Sequence, residues 1–179
     1  MPKHRLFACF IAAASLAASS GIAARAAEVC AGFKWDVKHE HALFLGTAQA
    51  LGAGASAAAA PAIELDRLYD LTLQPQDTVQ FAAPVGKKML TDGGYGGLVR
   101  FRVPADGSYR VAVNIAFWLD VVGDGKTLTS TDFNGSAGCD TPRKIVVYPL
   151  TAGRELLLQL SGEVSQHVRV TITAVPAAP

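Results

Sequence analysis

YRVAVNIAFWLDVV, residues 109–122, is the stretch whose reading decides the fold. Tyr109, Val111, Val113, Ile115, Phe117, Leu119 and Val121 are seven alternate apolar positions, interleaved with Arg110, Ala112, Asn114, Ala116, Trp118, Asp120 and Val122. A period of two puts the first set on one buried face of a β-strand and leaves the second set on the other face. Upstream, Val99, Phe101 and Val103 alternate with Arg100 and Arg102. Pro104, Ala105, Asp106 and Gly107 have turn chemistry, so the two segments read as a hairpin. Gly123, Asp124 and Gly125 predict a second tight turn. Further strands are expected at 68–73, 77–82, 126–129, 143–149, 154–161 and 167–175. The result is a mainly β chain: one β-sandwich or jelly roll of about eight strands over residues 63–179.

Before this region the pattern changes twice. WDVKHEHALFL, residues 35–45, reads as a short N-terminal helix, with Asp36 able to cap it and Val37, His41 and Phe44 on one face. GTAQALGAGASAAAAPA, residues 46–62, has small side chains and helix-breaking Gly and Pro, and is expected to be a linker or loose loop. At the start, Lys3, His4 and Arg5 precede an apolar run from Leu6 to Ala18 that is too short to span a bilayer, and Ala24 and Ala26 form an A-x-A site. Residues 1–26 are therefore expected to be a signal peptide, with 27–45 as an N-terminal segment of the mature chain. No later stretch approaches the roughly 20 apolar residues of a membrane helix, so no membrane span is expected in the mature chain. The expected location is periplasmic or secreted.

Loss of Lys3, Arg5 and Arg25 with the leader reduces the 16 basic residues to 13, against 15 acidic ones. That balance, with no basic run, argues against nucleic acid as partner. Of the three cysteines, Cys9 leaves with the leader. Cys30 and Cys139 remain as an even pair in an oxidising compartment, which predicts a disulfide between them.

Chemistry-bearing constellations are sparse. His39, Glu40 and His41 could chelate a metal on a strand, but on a helix the two imidazoles diverge by about 200°, so the triplet reads as solvated helix surface. His167 reads as a strand-edge residue. The segment from Asn134 to Cys139, NGSAGC, lacks the G-x-S-x-G order of a nucleophile elbow. Asp120, Asp124, Asp132 and Asp140 could supply oxygen ligands to calcium, yet their spacing matches no calcium loop and they read as turn-solvating acids. LTDGGYGGLVRF, residues 90–101, leads into a strand and offers no helix N-terminus to a phosphate. No catalytic residue, metal site or cofactor is assigned. Trp118 is the exception of interest, because the alternation puts it opposite the core stripe beside Asp120. If the strand carrying Arg100 and Arg102 lies alongside, these four residues would form a sugar-binding surface. The competing expectation is that the N-terminal helix, tied down through Cys30 and Cys139, covers the indole.

GGLVRFRVPADGSYRVAV, residues 96–113, and YPLTAGRELLLQLSG, residues 148–162, resemble the bacterial pre-peptidase C-terminal type of β-sandwich. The likeness runs over about residues 67–175 and implies an exported, non-catalytic accessory domain. WDVKHEHALF, residues 35–44, and GCDTPRKIVVYPL, residues 138–150, resemble short exported proteobacterial proteins, some of which carry the name homogentisate 1,2-dioxygenase. That name implies an iron enzyme with two His and one Glu as ligands. Three functions are therefore expected in turn: a binding module for cell-envelope glycan or an exported protein, acting near Trp118; a metal-dependent enzyme using His39, Glu40, His41 and His167; and a structural envelope protein without a small ligand.

Overall fold

The alternation along residues 109–122 is broken in the middle. In the computed structural model, which describes residues 30–85 and 92–176, β5 (Gly107–Val113) ends where the chain bends through residues 114–117, and β6 (Trp118–Gly123) begins beyond the bend. The two strands belong to different sheets. The apolar set stays in phase because both strands point those residues at the same core, and a period of two cannot distinguish one long strand from two facing ones. The expected hairpin across Pro104–Gly107 is corrected for the same reason. β4 (Tyr95–Phe101) and β5 lie in opposite sheets, and the turn is a crossing between layers. Asp106 helps to hold it by accepting the Ala152 N–H at 2.8 Å.

The remaining strands are β1 (Gln49–Gly52), β2 (Tyr69–Thr72), β3 (Gln74–Pro75), β7 (Lys126–Thr127), β8 (Asp132–Gly135), β9 (Lys144–Leu150), β10 (Leu156–Glu163) and β11 (His167–Ala174). A six-stranded sheet runs β1-β2-β11-β5-β9-β8, and a five-stranded sheet runs β3-β4-β10-β6-β7. Together they form a β-sandwich, mainly β with one short helix, as expected. Its interior is filled by the inward residues of both sheets, among them Leu71, Val99, Phe101, Val111, Val113, Phe117, Leu119, Val121, Leu158, Leu160 and Ile172. Each fully buried side chain of this size contributes about 1.5–3 kcal/mol relative to exposure. The Asp124-Gly125 turn between β6 and β7 has positive φ at both positions, 52° and 72°, as a two-residue hairpin of this hand requires.

The Ala/Gly-rich segment 46–62 is not a loose linker. β1 pairs in parallel with β2, then Gly54 and Ala62 bridge to Leu98 and Arg100, further along the edge of β4 that β3 pairs at Tyr95 and Gly96. The segment thus joins one edge of the six-stranded sheet to the matching edge of the five-stranded sheet. Small side chains make this possible. A Cβ on Gly97 would stand 2.6 Å from the Ala53 methyl, and one on Gly54 would strike the Ala59 backbone at 2.6 Å. Residues 77–82, expected as a strand, form a short 3-10 turn at Gln76–Thr78 and then a strap across the outer face of the five-stranded sheet. There Val79, Ala60 and Leu98 make a satellite cluster with Phe81 and Leu157.

The outer face of the six-stranded sheet is covered by α1 (Lys38–Phe44) and the residues before it. Asp36 lies one position further out than a cap, where its Oδ1 accepts the Lys38 N–H at 2.9 Å. Phe33 and Phe44 pack with Leu68, Ala112 and Ile145. Glu40, expected on the solvated surface, is 1% exposed and Arg110 is 6% exposed. Arg110 Nη1 donates to Glu40 Oε1 at 3.2 Å and to the Asp36 carbonyl at 2.8 Å, while Thr173 Oγ1 donates to Glu40 Oε1 at 2.7 Å. The Cys30–Cys139 disulfide, with a Cα–Cα distance of 5.2 Å, joins this layer to the loop between β8 and β9.

Two predictions concern this layer. Arg110→Met strands the Glu40 carboxylate and should lower unfolding free energy by about 3–5 kcal/mol, whereas the Glu40→Leu/Arg110→Met double variant should regain most of it. Urea midpoints of the two proteins decide the matter. The Cys30→Ala/Cys139→Ala variant opens a loop spanning 109 positions of sequence. It should lose up to about 4–5 kcal/mol by the same assay.

Candidate functional site

Segment 49–62 closes one side of the sandwich, and the opposite side ends in two short strands, β7 and β8, that do not close over the core. The cleft between them has a volume of about 550 Å³ and is lined by Trp118, Asp120, Thr127, Leu128, Thr129, Ser130, Phe133, Lys144, Val146 and Tyr148 with Leu119. Trp118 is 39% exposed and Phe133 68% exposed, two of the few large apolar side chains at the surface. The floor is apolar because Val146, Tyr148 and Leu128 belong to the edge of the core.

The polar groups around this floor are placed by the strands. Trp118 and Asp120 are two residues apart on β6 and share a face, so the indole Nε1–H donates to Asp120 Oδ1 at 3.1 Å. Register pairs Asp120 with Gln159 on β10, whose Nε2 donates to Asp120 Oδ2 at 3.3 Å. Gln159 is itself held by the strap: its Oε1 accepts the N–H groups of Ala82 and Ala83 at 3.1 and 3.2 Å, and its Nε2 donates to the Ala83 carbonyl. Lys144, at the start of β9, donates from Nζ to the Phe117 carbonyl at 2.8 Å and stands 5.5 Å from the centre of the Trp118 ring. Tyr148 donates from its hydroxyl to the Leu119 carbonyl at 2.7 Å.

Burial sets the electrostatics of this cluster. Desolvation raises the Asp120 pKa above 3.8, opposed by the hydrogen bonds from Gln159 and Trp118 and by the Lys144 charge. Desolvation also lowers the Lys144 pKa, and the charges of Asp120 and Glu163 act against it. The Tyr148 phenol is pushed up by burial and then by the Asp120 charge.

The expected covering of Trp118 by the helix does not occur. α1 lies on the six-stranded sheet, whereas Trp118 is on the outer face of the five-stranded one. Arg100 and Arg102 are not beside Trp118 either, because β10 lies between β4 and β6 and Arg100 is level with Leu157 and Val122. They line a separate depression with Glu155, to which Arg102 donates at 3.5 Å. Of the four residues read together from the sequence, only Trp118 and Asp120 meet. Lys144, Tyr148, Phe133 and Gln159 were not singled out, since only strand order brings β8, β9 and β10 to β6.

The residues that an iron oxygenase would use do not fit that role. His39 Nε2 lies 2.7 Å from Asp66 Oδ1, His41 Nδ1–H donates to the Thr141 carbonyl at 2.7 Å, and Glu40 is committed to Arg110 and Thr173. The three side chains face different elements and share no point. His167 sits at the far end of β11, 3.7 Å from Asp70. The candidate calcium acids are dispersed as well: Asp124 accepts from Arg154 at 2.9 Å, Asp132 pairs with Lys34, and Asp140 lies 3.9 Å from Arg169. Among the described residues, no group of three or more His, Cys, Asp or Glu side chains is placed to hold a metal ion. No helix among them is long and apolar enough to cross a membrane.

The raised Asp120 pKa has a signed consequence. Above 3.8 the unfolded chain loses this proton while the folded one retains it, so Asp120 contributes stability at low pH that is lost as pH rises through its folded value. In a Trp35→Phe background, which leaves Trp118 as the single indole of the described residues, emission should titrate with a midpoint above 3.8. Asp120→Asn should abolish that transition. A midpoint at or below the ordinary aspartate value would refute the assignment.

Comparison of the chain with known protein families, with curated proteins and with solved structures finds no match.

Proposed function

We propose that this chain is an exported, non-catalytic β-sandwich module of the cell envelope that binds glycan in the cleft between β7 and β8. The observation that carries the reading is Trp118: an indole held in place by Asp120, partly exposed at the mouth of an apolar-floored cleft with a second exposed aromatic, Phe133, on the facing sheet. Pyranose rings present apolar C–H faces and a polar hydroxyl edge. An aromatic wall with a few convergent polar groups suits both. Thr127, Thr129 and Ser130 add hydroxyls along the rim. The Cys30–Cys139 disulfide supports export, since such bonds persist in oxidising compartments. The likeness to pre-peptidase C-terminal sandwiches points to the same accessory role.

Cosedimentation of the chain, without its leader, with purified peptidoglycan and with insoluble polysaccharides tests the reading. Binding should be lost in Trp118→Ala and kept in Trp35→Phe, because Trp35 packs against Arg110 on the six-stranded sheet rather than at the cleft. Retention by Trp118→Ala equal to that of the parent, or no retention on any glycan, would overturn the proposal.

A further inference from the structure

Resting on the glycan reading, we infer that the cleft selects a sugar that carries a carboxylate, with Lys144 as its counter-charge. The argument is an account of donors and acceptors. Both oxygens of Asp120 already have donors, Trp118 Nε1 on one and Gln159 Nε2 on the other. Tyr148 spends its proton on the Leu119 carbonyl. Lys144 has three N–H donors and, among the described residues, gives one, to the Phe117 carbonyl, which leaves two to serve a ligand. That bond and the Trp118 ring fix the ammonium at the wall of the cleft. The carboxylate of the site is thus turned inward to protein donors, while the cation of the site retains free donors toward the open space. A ligand that supplies an anionic acceptor completes this set, and a neutral sugar leaves the ammonium to water.

Asp120 is the acid of the cleft lining, and Glu163 on β10 is the other acid whose charge reaches Lys144. Both stabilise the ammonium form, opposing the desolvation that disfavours it. The Trp118 ring is covered by Lys144 from one direction and is still 39% exposed, which leaves aromatic surface for the sugar beside the ammonium. Facing it on β8, Phe133 bounds the width of the cleft.

The test uses paired oligosaccharides of identical linkage, one neutral and one with its hydroxymethyl groups oxidised to carboxylates: β-1,4-linked cello-oligosaccharide with β-1,4-linked oligoglucuronate, and α-1,4-linked galacto-oligosaccharide with α-1,4-linked oligogalacturonate. Calorimetric titration at low and at physiological salt should show the carboxylated member of a pair binding at least tenfold more tightly, with the difference shrinking as salt rises. Lys144→Gln should reduce it to the affinity of its neutral counterpart, and Lys144→Arg should restore much of the gap. Melting temperatures of the two variants report whether each still folds. Trp118→Ala should weaken both members of the pair. Equal binding of both members, unchanged in Lys144→Gln, would overturn the charge inference and leave glycan binding standing. Failure of every saccharide to bind, with peptidoglycan also unbound, would remove both.

Discussion

The Glu40–Arg110 pair is the constraint on which the outer architecture depends. An acid from a seven-residue helix and a base from the middle of β5 are buried together, and neither is tolerable there alone. Thr173 supplies the second donor to Glu40, so three elements meet at one carboxylate. Removing a lone charge from water costs several kcal/mol, which makes this contact all-or-nothing and sets where α1 must lie. Trp35 stacks against the same guanidinium at 5.4 Å, and Arg169 closes the other end of the helix by donating to the Phe44 carbonyl at 3.2 Å. A helix too short to persist alone is held by charge, by aromatic packing and by the disulfide.

That placement has a direct effect on the opposite sheet. With the helical layer committed to β5, β9 and β11, the outer face of β6 is left to the strap from Val79 to Ala83. Through Ala82 and Ala83 the strap is hydrogen-bonded to Gln159 on β10. Among the described residues of the strap, the contacts fall on Leu98, Leu157 and Gln159 and not on Trp118. The exposure of the indole therefore follows from a helix anchored on the other sheet.

The core strands are legible because period two survives wherever one face is buried, and the disulfide because only two of the three cysteines lie outside the expected leader. What alternation does not carry is the sheet to which a strand belongs. Residues 99–103, 109–113 and 117–121 point inward identically whether they form a meander or cross the sandwich twice. Glu40 and Arg110 each looked like surface residues, since a charge in a helix or on the polar side of a strand is usually solvated, and their mutual burial is visible only once both elements are docked. The Ala/Gly-rich segment is illegible for a different reason. Small side chains do little for a core, but they permit the backbone approach that pairs Gly54 and Ala62 with β4. At the site, the face of Trp118 and its neighbour Asp120 followed from spacing, whereas Lys144 and Gln159 needed strand order and the removal of Arg100 needed the intervening β10.

The disulfide also determines how force would travel through this molecule. Cys30 is bonded to Cys139, so tension applied on its N-terminal side enters at the loop between β8 and β9. From there it spreads along β9, which is paired with β5 over seven consecutive residues. α1 lies outside that path and meets it through Arg110 on β5, which pairs with Val147. Pulled from that side, the stretch between Cys30 and Cys139 is bypassed by the covalent bridge, and the helix within it would not be peeled away.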